Sequence, residues 1–379
     1  MKIDDLPFYW RLKERGAISP VPEVVPFVYD FDERFQLLIQ KRDHATLEYL
    51  KTIYKEDANI GYLQDANEIA KPYGTDFSRF VETSLGRWGV HVRKVLELGC
   101  GGCTILNELK TSGYDVVGID PGPLAAREGE RRGIKVINSF FPTSEFEEMV
   151  DFIFHNDVLE HVDDPVGFLQ TQRKQLNANG LIITAVPDCS DGVMAGEISM
   201  TMHQHLNYYD LDSLKNVFQA AGLEVLAIER ALYGGSIYCC ARKNANPLRY
   251  YPKTGYEKFQ KFTSSAKNNI AKFSAEVDSC LKYGGSLGFY APLRALPYLA
   301  ILGMRNGFRF FDDTNHWYGR CFDGVDVPIE NFNDLKARPV DTLFIMSITF
   351  GDKIMKRIVE GKIQCDRVVA LKEVLEAGH

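Results

Sequence analysis

The chain has 379 residues, 45% of them apolar and 25% charged, which is enough for two or three packed modules with sizeable cores and excludes a disordered chain. Its 44 basic and 51 acidic residues give a formal net charge of -7 with no dense lysine or arginine run, which argues against nucleic acid or an anionic membrane as the main partner and for a small-molecule substrate. No apolar stretch reaches the roughly 20 residues that cross a bilayer, and the opening MKIDDLPFYWRLKERG lacks the apolar core of a signal peptide, so a cytoplasmic protein is expected.

Residues 1 to 88 begin with the proline-rich ISPVPEVVPFVYDF and then show helical periodicity in DERFQLLIQKRDHATLEYLKTIY and again in DFSRFVETSLGRW. This predicts a small, mostly helical N-terminal module. From Val92 the pattern changes to short apolar runs separated by helix-like stretches: KVLELG, YDVVGID, IKVINSFF, VDFIFHNDV, GLIITAVP, LEVLAIER and GSIYCCAR. Such alternation predicts a mostly parallel sheet covered by helices on both faces, here an α/β core over residues 89–245. The polar, proline-bearing NANPLRYYPKTGYEKF after Lys243 reads as a linker into a long amphipathic helix that ends near Lys282. A second alternation, GSLGFYAP, FRFFDDT, DTLFIMSIT and DRVVAL, predicts another, smaller α/β domain over residues 246–379.

Eight cysteines are scattered through the chain, most of them inside apolar runs, as expected of reduced core thiols. Cys100 and Cys103 stand in a CGGC spacing, but a closed zinc site needs about four ligands and no second CxxC follows. No metal is expected.

The segment from Val95 to Leu98 has the signature of a buried strand, and Gly99-Cys100-Gly101-Gly102 leads from it into a helix-like segment from Thr104 to Lys110. Glycines at a strand-to-helix turn let the backbone curl tightly and approach a ligand at the carboxyl edge of an α/β sheet. Dinucleotide-binding enzymes use such a turn too, and here Cys103 occupies the place of the third small residue. The next strand ends in Asp120, where a carboxylate can accept hydrogen bonds from a ribose diol, or equally can cap a helix whose first residues include Pro121. Glu97 places a charge within an apolar strand, a costly position unless a cationic or hydrogen-bonding group, such as a ligand amino group, meets it. The fourth strand runs into the polar cluster His155-Asn156-Asp157-Val158-Leu159-Glu160-His161.

Through LELGCGG, VVGID, NDVLEHVDDP and NANGLIITAVP, in that order, the sequence resembles the class I methyltransferases that use S-adenosylmethionine. The resemblance implies a Rossmann-like core between the N-terminal module and the second α/β domain. It further implies that Glu97, Gly99 and Gly101 hold the methionine end of that cofactor, that Asp120 holds the ribose, that Asn138 and Phe140 border the adenine, and that Asn156 lies near the sulfonium.

After VPDCSDG comes Met202-His203-Gln204-His205-Leu206-Asn207-Tyr208-Tyr209. Two histidines at this spacing share a face if the chain is extended, and imidazole can move a proton near neutral pH. The alternatives are hydrogen-bonded structural histidines or a metal-site fragment short of a third ligand. This run, the segment from Tyr233 through Gly234 to Ser236, and the C-terminal GSLGFYAP, VPIENFNDL and FIMSITFGDKI are similar to the C-methyltransferases of nucleotide-linked sugars. That likeness implies His205 as the base that removes a proton beside a keto group, His203 and Gln204 as neighbouring acid/base positions, Tyr73 on the substrate side of the N-terminal module, and His161 at the end of the fourth strand. The family's tyrosine and glutamate in the run are Met202 and Gln204 here, and no cysteine precedes Cys100 to form the family's N-terminal zinc cluster. The expected activity is methyl transfer to a small polar metabolite such as a nucleotide-linked sugar. Transfer to oxygen or nitrogen, an NAD-type oxidoreductase and a noncatalytic binding protein remain as alternatives.

Overall fold

The computed structural model of the chain describes residues 1–56, 70–88, 91–233, 235–244, 250–282 and 284–376. In chain order the first elements are β1 (Lys2–Pro7), β2 (Val24–Asp32), β3 (Leu37–Gln40), α1 (His44–Lys55) and α2 (Ala70–Trp88). Then come β4 (Lys94–Leu98), α3 (Thr104–Thr111), β5 (Asp115–Ile119), α4 (Pro123–Arg132), β6 (Lys135–Ile137), β7 (Val150–Asn156), α5 (Pro165–Gln175) and β8 (Leu176–Pro187). They are followed by α6 (Ser190–Ala195), β9 (Asn207–Tyr208), α7 (Leu211–Ala220), β10 (Leu223–Arg230) and β11 (Ser236–Lys243). The remainder holds α8 (Glu257–Lys282), β12 (Leu287–Tyr290), β13 (Phe308–Phe311), β14 (Ile329–Glu330), β15 (Thr342–Ile345) and β16 (Arg367–Ala370), with short helices between them.

Compactness divides the chain differently from the three consecutive segments 1–88, 89–245 and 246–379. One unit joins Phe31–Ser190 to Gln204–Gly255, and the other joins Met1–Asp30 to Asp191–His203 and Tyr256–His379. Gly234 and residues 245–249 of the expected linker lie outside the described residues.

The first of these units is built on a seven-stranded sheet in the order β10-β11-β8-β7-β4-β5-β6. Strands β4 to β8 pair in parallel, while β10 and β11 pair antiparallel at one edge. The run VLEL of β4 is apolar almost throughout because both faces are covered: Leu96 and Leu98 enter one core and Val95 the other. In β7, Ile153 and Phe152 divide in the same way. Chain order reverses across β4, with β5 on one side and β7 on the other, so the carboxyl ends of these strands border the crevice in which such sheets take ligands.

The first 40 residues are not helical. Strands β1 and β2 pair antiparallel, with Ile3 opposite Phe27, and in β2 Val25, Phe27, Tyr29 and Phe31 are buried in strict alternation. That period of two, interrupted to the eye by Pro26, is a strand pattern. Strand β3 occupies Leu37–Gln40 inside the stretch expected to be helical and pairs with β9. Helix α1 starts only at His44, where the Asp43 carboxylate accepts the Thr46 N–H.

The other unit carries an all-parallel sheet in the order β14-β13-β12-β15-β16, the expected smaller α/β arrangement. Helix α8 ends at Lys282 as read from its periodicity and buries Phe262, Ala266, Phe273 and Val277, with the Phe273 ring 5.1 Å from that of Phe344. No helix among the described residues is long and apolar enough to cross a membrane.

Candidate active site

Strand β4 is followed by Gly99 at φ +70, where an added Cβ would stand 2.5 Å from Val158 Cγ2. Gly101 follows at φ +43, and a Cβ there would meet nothing within 4 Å. The turn is thus closed on one side and open on the other. The Gly101 N–H donates to Asp120 Oδ2 at 2.9 Å and the Gly122 N–H to Asp120 Oδ1 at 2.7 Å. Asp120 therefore ties the glycine turn to the start of α4, and each of its oxygens keeps a further lone pair for an outside donor. Burial raises its pKa, against the two N–H groups that favour the ionised form.

Glu97 is 3% exposed, and its Oε2 has no hydrogen-bond partner among the described residues. Burial pushes this carboxyl well above its ordinary range, with Cys103 and Asp120 adding to the effect. An ammonium group at Oε2 would remove both the orphan and the cost. At the end of β7, Asn156 Oδ1 likewise lacks a partner. Asn138, just past β6, donates its side-chain amide to the Asp120 carbonyl at 3.0 Å, and the half-buried Phe140 ring lies 5.9 Å from the Lys55 ammonium. Glu97, Gly99, Gly101, Asp120, Asn138, Phe140 and Asn156 therefore gather at the carboxyl ends of β4 to β7. An open turn, an unpaired buried carboxylate and a diol acceptor together fit a ligand with an ammonium group and a ribose.

Beyond Asn156 the chain turns at Asp157, whose φ is +54. The Tyr73 hydroxyl of α2 meets both oxygens of Asp157, at 2.9 and 3.0 Å, and Ser236 Oγ at 2.9 Å. With Asp157 ionised the tyrosine donates to it and accepts from Ser236. Burial lifts the Asp157 pKa to about 6, and the Tyr73 hydrogen bond pulls it back down. Burial together with the Asp157 charge raises the Tyr73 phenol well above its usual value.

His161 Nδ1 lies 2.7 Å from the Gln204 carbonyl oxygen. A carbonyl only accepts, so Nδ1 carries the hydrogen and Nε2 keeps its lone pair; that Nε2 is 3.7 Å from Glu160 Oε1. Burial brings the His161 pKa down to about 4. Glu160 is 1% exposed, neither of its carboxylate oxygens has a hydrogen-bond partner among the described residues, and burial raises its pKa well above the usual range. The His205 ring centre is 5.2 Å from that of His161. One ligand-capable atom from each of Glu160, His161 and His205 lies within 4.8 Å of the others.

This meeting depends on the backbone. The Leu206 N–H donates to the Glu160 carbonyl at 2.8 Å, and the Asn207 amide to the Val162 carbonyl at 2.8 Å. Arg42 donates to the Leu206 carbonyl at 2.7 Å and to Asn207 Oδ1 at 2.8 Å. Segments 159–162 and 205–208 are stitched side by side, and the histidines face each other as a result.

His203 does not join them. The residues from His203 form a turn, not a strand, so the two histidines share no face. His203 is fully enclosed within the other unit, with Nε2 2.9 Å from the Val25 carbonyl and its ring 4.9 Å from that of Phe8. It is a structural histidine. Gln204 is buried and contributes its backbone carbonyl to His161. All eight cysteines are free, and Cys100 and Cys103 are buried. The site residues proposed from the sequence omit Asp157, Glu160, Ser236 and Arg42. The first two are visible as charges in NDVLEHVDD and Ser236 ends the segment that starts at Tyr233, while Arg42 carries no local signal.

The family described as "Methyltransferase domain" matches residues 63–228. The C-methyltransferase NovU of Streptomyces niveus is 22% identical over 284 residues, covering 69% of this chain and 68% of that enzyme. The ubiquinone biosynthesis O-methyltransferase of Azorhizobium caulinodans is 30% identical over 99 residues, covering 24% of this chain and 39% of that enzyme. Among solved structures, the 1,6-didemethyltoxoflavin N1-methyltransferase of Burkholderia thailandensis covers 61% of this chain and all of its own at a TM-score of 0.41 and 18% identity.

Proposed function

We propose that the chain, whose residues 63–228 match a methyltransferase domain, is a class I methyltransferase that uses S-adenosylmethionine and transfers the methyl group to a carbon of a small, polar, cytoplasmic acceptor, a nucleotide-linked sugar, in sugar biosynthesis. Bound at the glycine turn, the cofactor supplies an electrophilic methyl group. Glu97 would meet its ammonium group, Gly99 and Gly101 would admit its methionine end, Asp120 would accept from the ribose hydroxyls, Asn138 and Phe140 would border the adenine, and Asn156 would lie on the sulfonium side.

The observation that carries the acceptor side is the pairing of His205 with His161 just past Asn156, at a ring separation of 5.2 Å. His205 takes the acceptor proton, and its lone pair is the group the reaction consumes. His161 is held neutral by burial and oriented by the Gln204 carbonyl, so it lines the site without competing as a cation. Tyr73, fixed between Asp157 and Ser236, presents a phenol that stays protonated and whose remaining lone pair can accept from a hydroxyl of the acceptor. The likeness to an enzyme named a C-methyltransferase supports carbon as the acceptor. The shorter, 30% identical likeness to a ubiquinone O-methyltransferase supports oxygen as the second reading, which needs the same base and the same in-line positioning. The balance of 44 basic against 51 acidic residues favours a small acceptor over a polyanion.

Replacing His205 with Ala is expected to lower turnover by a factor of about 100 or more, the ordinary worth of a positioned base, while S-adenosylhomocysteine affinity measured by calorimetry changes less than about threefold. Turnover equal to that of the parent would remove His205 from the chemistry.

A further inference from the structure

We propose that Glu160, His161 and His205 form a binding site for a divalent first-row transition-metal cation. The sequence offered two histidines without a third ligand, and no metal was expected from it. The fold removes His203 from that pair and supplies two other partners. One donor atom from each of the three side chains lies within 4.8 Å of the others, and bonds of about 2.0–2.2 Å to a common ion require only a modest rotation of these side chains inward.

Two further observations point to a cation. Glu160 is 1% exposed, yet neither carboxylate oxygen has a hydrogen-bond partner among the described residues. Buried carboxylates are otherwise paired or coordinated. The second is the orientation of His161: Nδ1–H donates to the Gln204 carbonyl at 2.7 Å, which leaves the Nε2 lone pair 3.7 Å from Glu160 Oε1. Metal-binding histidines are held in this way, with the far ring nitrogen donating to a carbonyl or carboxylate that fixes tautomer and direction. The backbone bond from Leu206 N–H to the Glu160 carbonyl, 2.8 Å, holds the two ligand-bearing segments together with or without an ion.

Two imidazoles and one carboxylate select zinc, cobalt, iron or manganese over magnesium and calcium, which prefer all-oxygen shells. Three protein ligands leave at least one position for water or an acceptor oxygen. The site goes beyond the function proposed above and constrains it: a cation on His205 occupies the lone pair that a base needs. Metal occupancy and proton abstraction by His205 therefore exclude each other, and the cation acts as an inhibitor of that reaction.

The test is titration of the untagged, metal-stripped 379-residue chain with Co²⁺, read by visible ligand-field absorption and by calorimetry, with Zn²⁺ as competitor. One Co²⁺ per chain is expected, displaced by Zn²⁺, with Glu160→Gln and His161→Gln each weakening binding at least tenfold. S-adenosylhomocysteine affinity, measured on each variant, reports that the fold is retained; Glu160→Gln is isosteric and serves if His161→Gln fails that check. Absence of stoichiometric Co²⁺ binding overturns the site, and so does binding that survives Glu160→Gln but is lost in the Cys100→Ser, Cys103→Ser double variant. Cobalt binding is read without methyl transfer, so a chain that binds cobalt but lacks a His205-dependent reaction overturns the catalytic reading alone.

Discussion

At Asp157 two local constraints act on one side chain. Its backbone sits at φ +54, a region tolerated best by Gly, Asn and Asp, and burial lifts its carboxyl to about 6 while the Tyr73 hydroxyl opposes the rise. A carboxyl whose folded pKa exceeds the roughly 3.9 of an unfolded chain favours folding in its protonated form. That contribution is fully present below about pH 4 and is lost as pH rises through 6. Asn keeps an acceptor for Tyr73, tolerates the left-handed backbone and carries no charge. Asp157→Asn is therefore expected to be more stable than the parent at pH 7 to 8, by about 1 kcal/mol or more, with the advantage shrinking toward pH 4. Urea unfolding across that range checks it, and a pH-independent difference would contradict the assignment. None of this is visible in the sequence, where Asp157 is one acid among several in NDVLEHVDDP; the hydrogen-bond partner that opposes the effect of burial, Tyr73, comes from α2, 84 positions away. Glu97 and Asp120, by contrast, are legible as candidates because each breaks or ends an apolar strand.

The turn between β4 and α3 was legible as an element because its chemistry is local: an apolar run, three glycines and a helix start within ten residues. Gly99 and Gly101 have different work, and substitution separates them. Ala at Gly99 meets both a left-handed backbone and the Val158 methyl at 2.5 Å. Ala at Gly101 meets the backbone cost alone, about 1–2 kcal/mol, because the space beside it is open. Gly101→Ala is thus expected to lower the melting temperature by only a few degrees while weakening S-adenosylhomocysteine binding at least tenfold, since its methyl enters the ligand's side of the turn. Gly99→Ala is expected to damage stability more than Gly101→Ala does. Thermal unfolding with calorimetric titration distinguishes them, and unchanged affinity in Gly101→Ala would place the ligand elsewhere. Elements whose partners are remote in sequence were misread. LLIQ in β3 is a strand because β9 lies beside it, and helical periodicity alone cannot register a strand partner 168 residues downstream. His203 and His205 parted for the same reason, since the turn between them follows from the pairing of 159–162 with 205–208.

The chain enters and leaves each compact unit more than once, at residues 30/31, 190/191, 203/204 and 255/256. A segment that looks like an independent core from its strand pattern therefore need not be one. Residues 89–245 include every strand of the seven-stranded sheet, but not α2, which gives Phe77, Phe80, Val81 and Leu85 to the same core as Phe154 and Tyr238. Burying four such side chains contributes about 1.5–3 kcal/mol each, a sum comparable to the 5–15 kcal/mol that holds an ordinary domain folded. Asp76 of α2 also accepts the Leu232 N–H at 2.9 Å and the Tyr238 hydroxyl at 3.1 Å, and Tyr73 holds Asp157. Removing residues 1–88 thus opens an apolar face and strands buried polar groups at once. A chain cut to 89–245 is expected to show no cooperative unfolding transition and no S-adenosylhomocysteine binding, whereas the full chain shows both. Cooperative melting of the cut chain with full-length affinity would mean that α2 is an accessory to the cofactor unit and that the strand pattern had marked its true boundary.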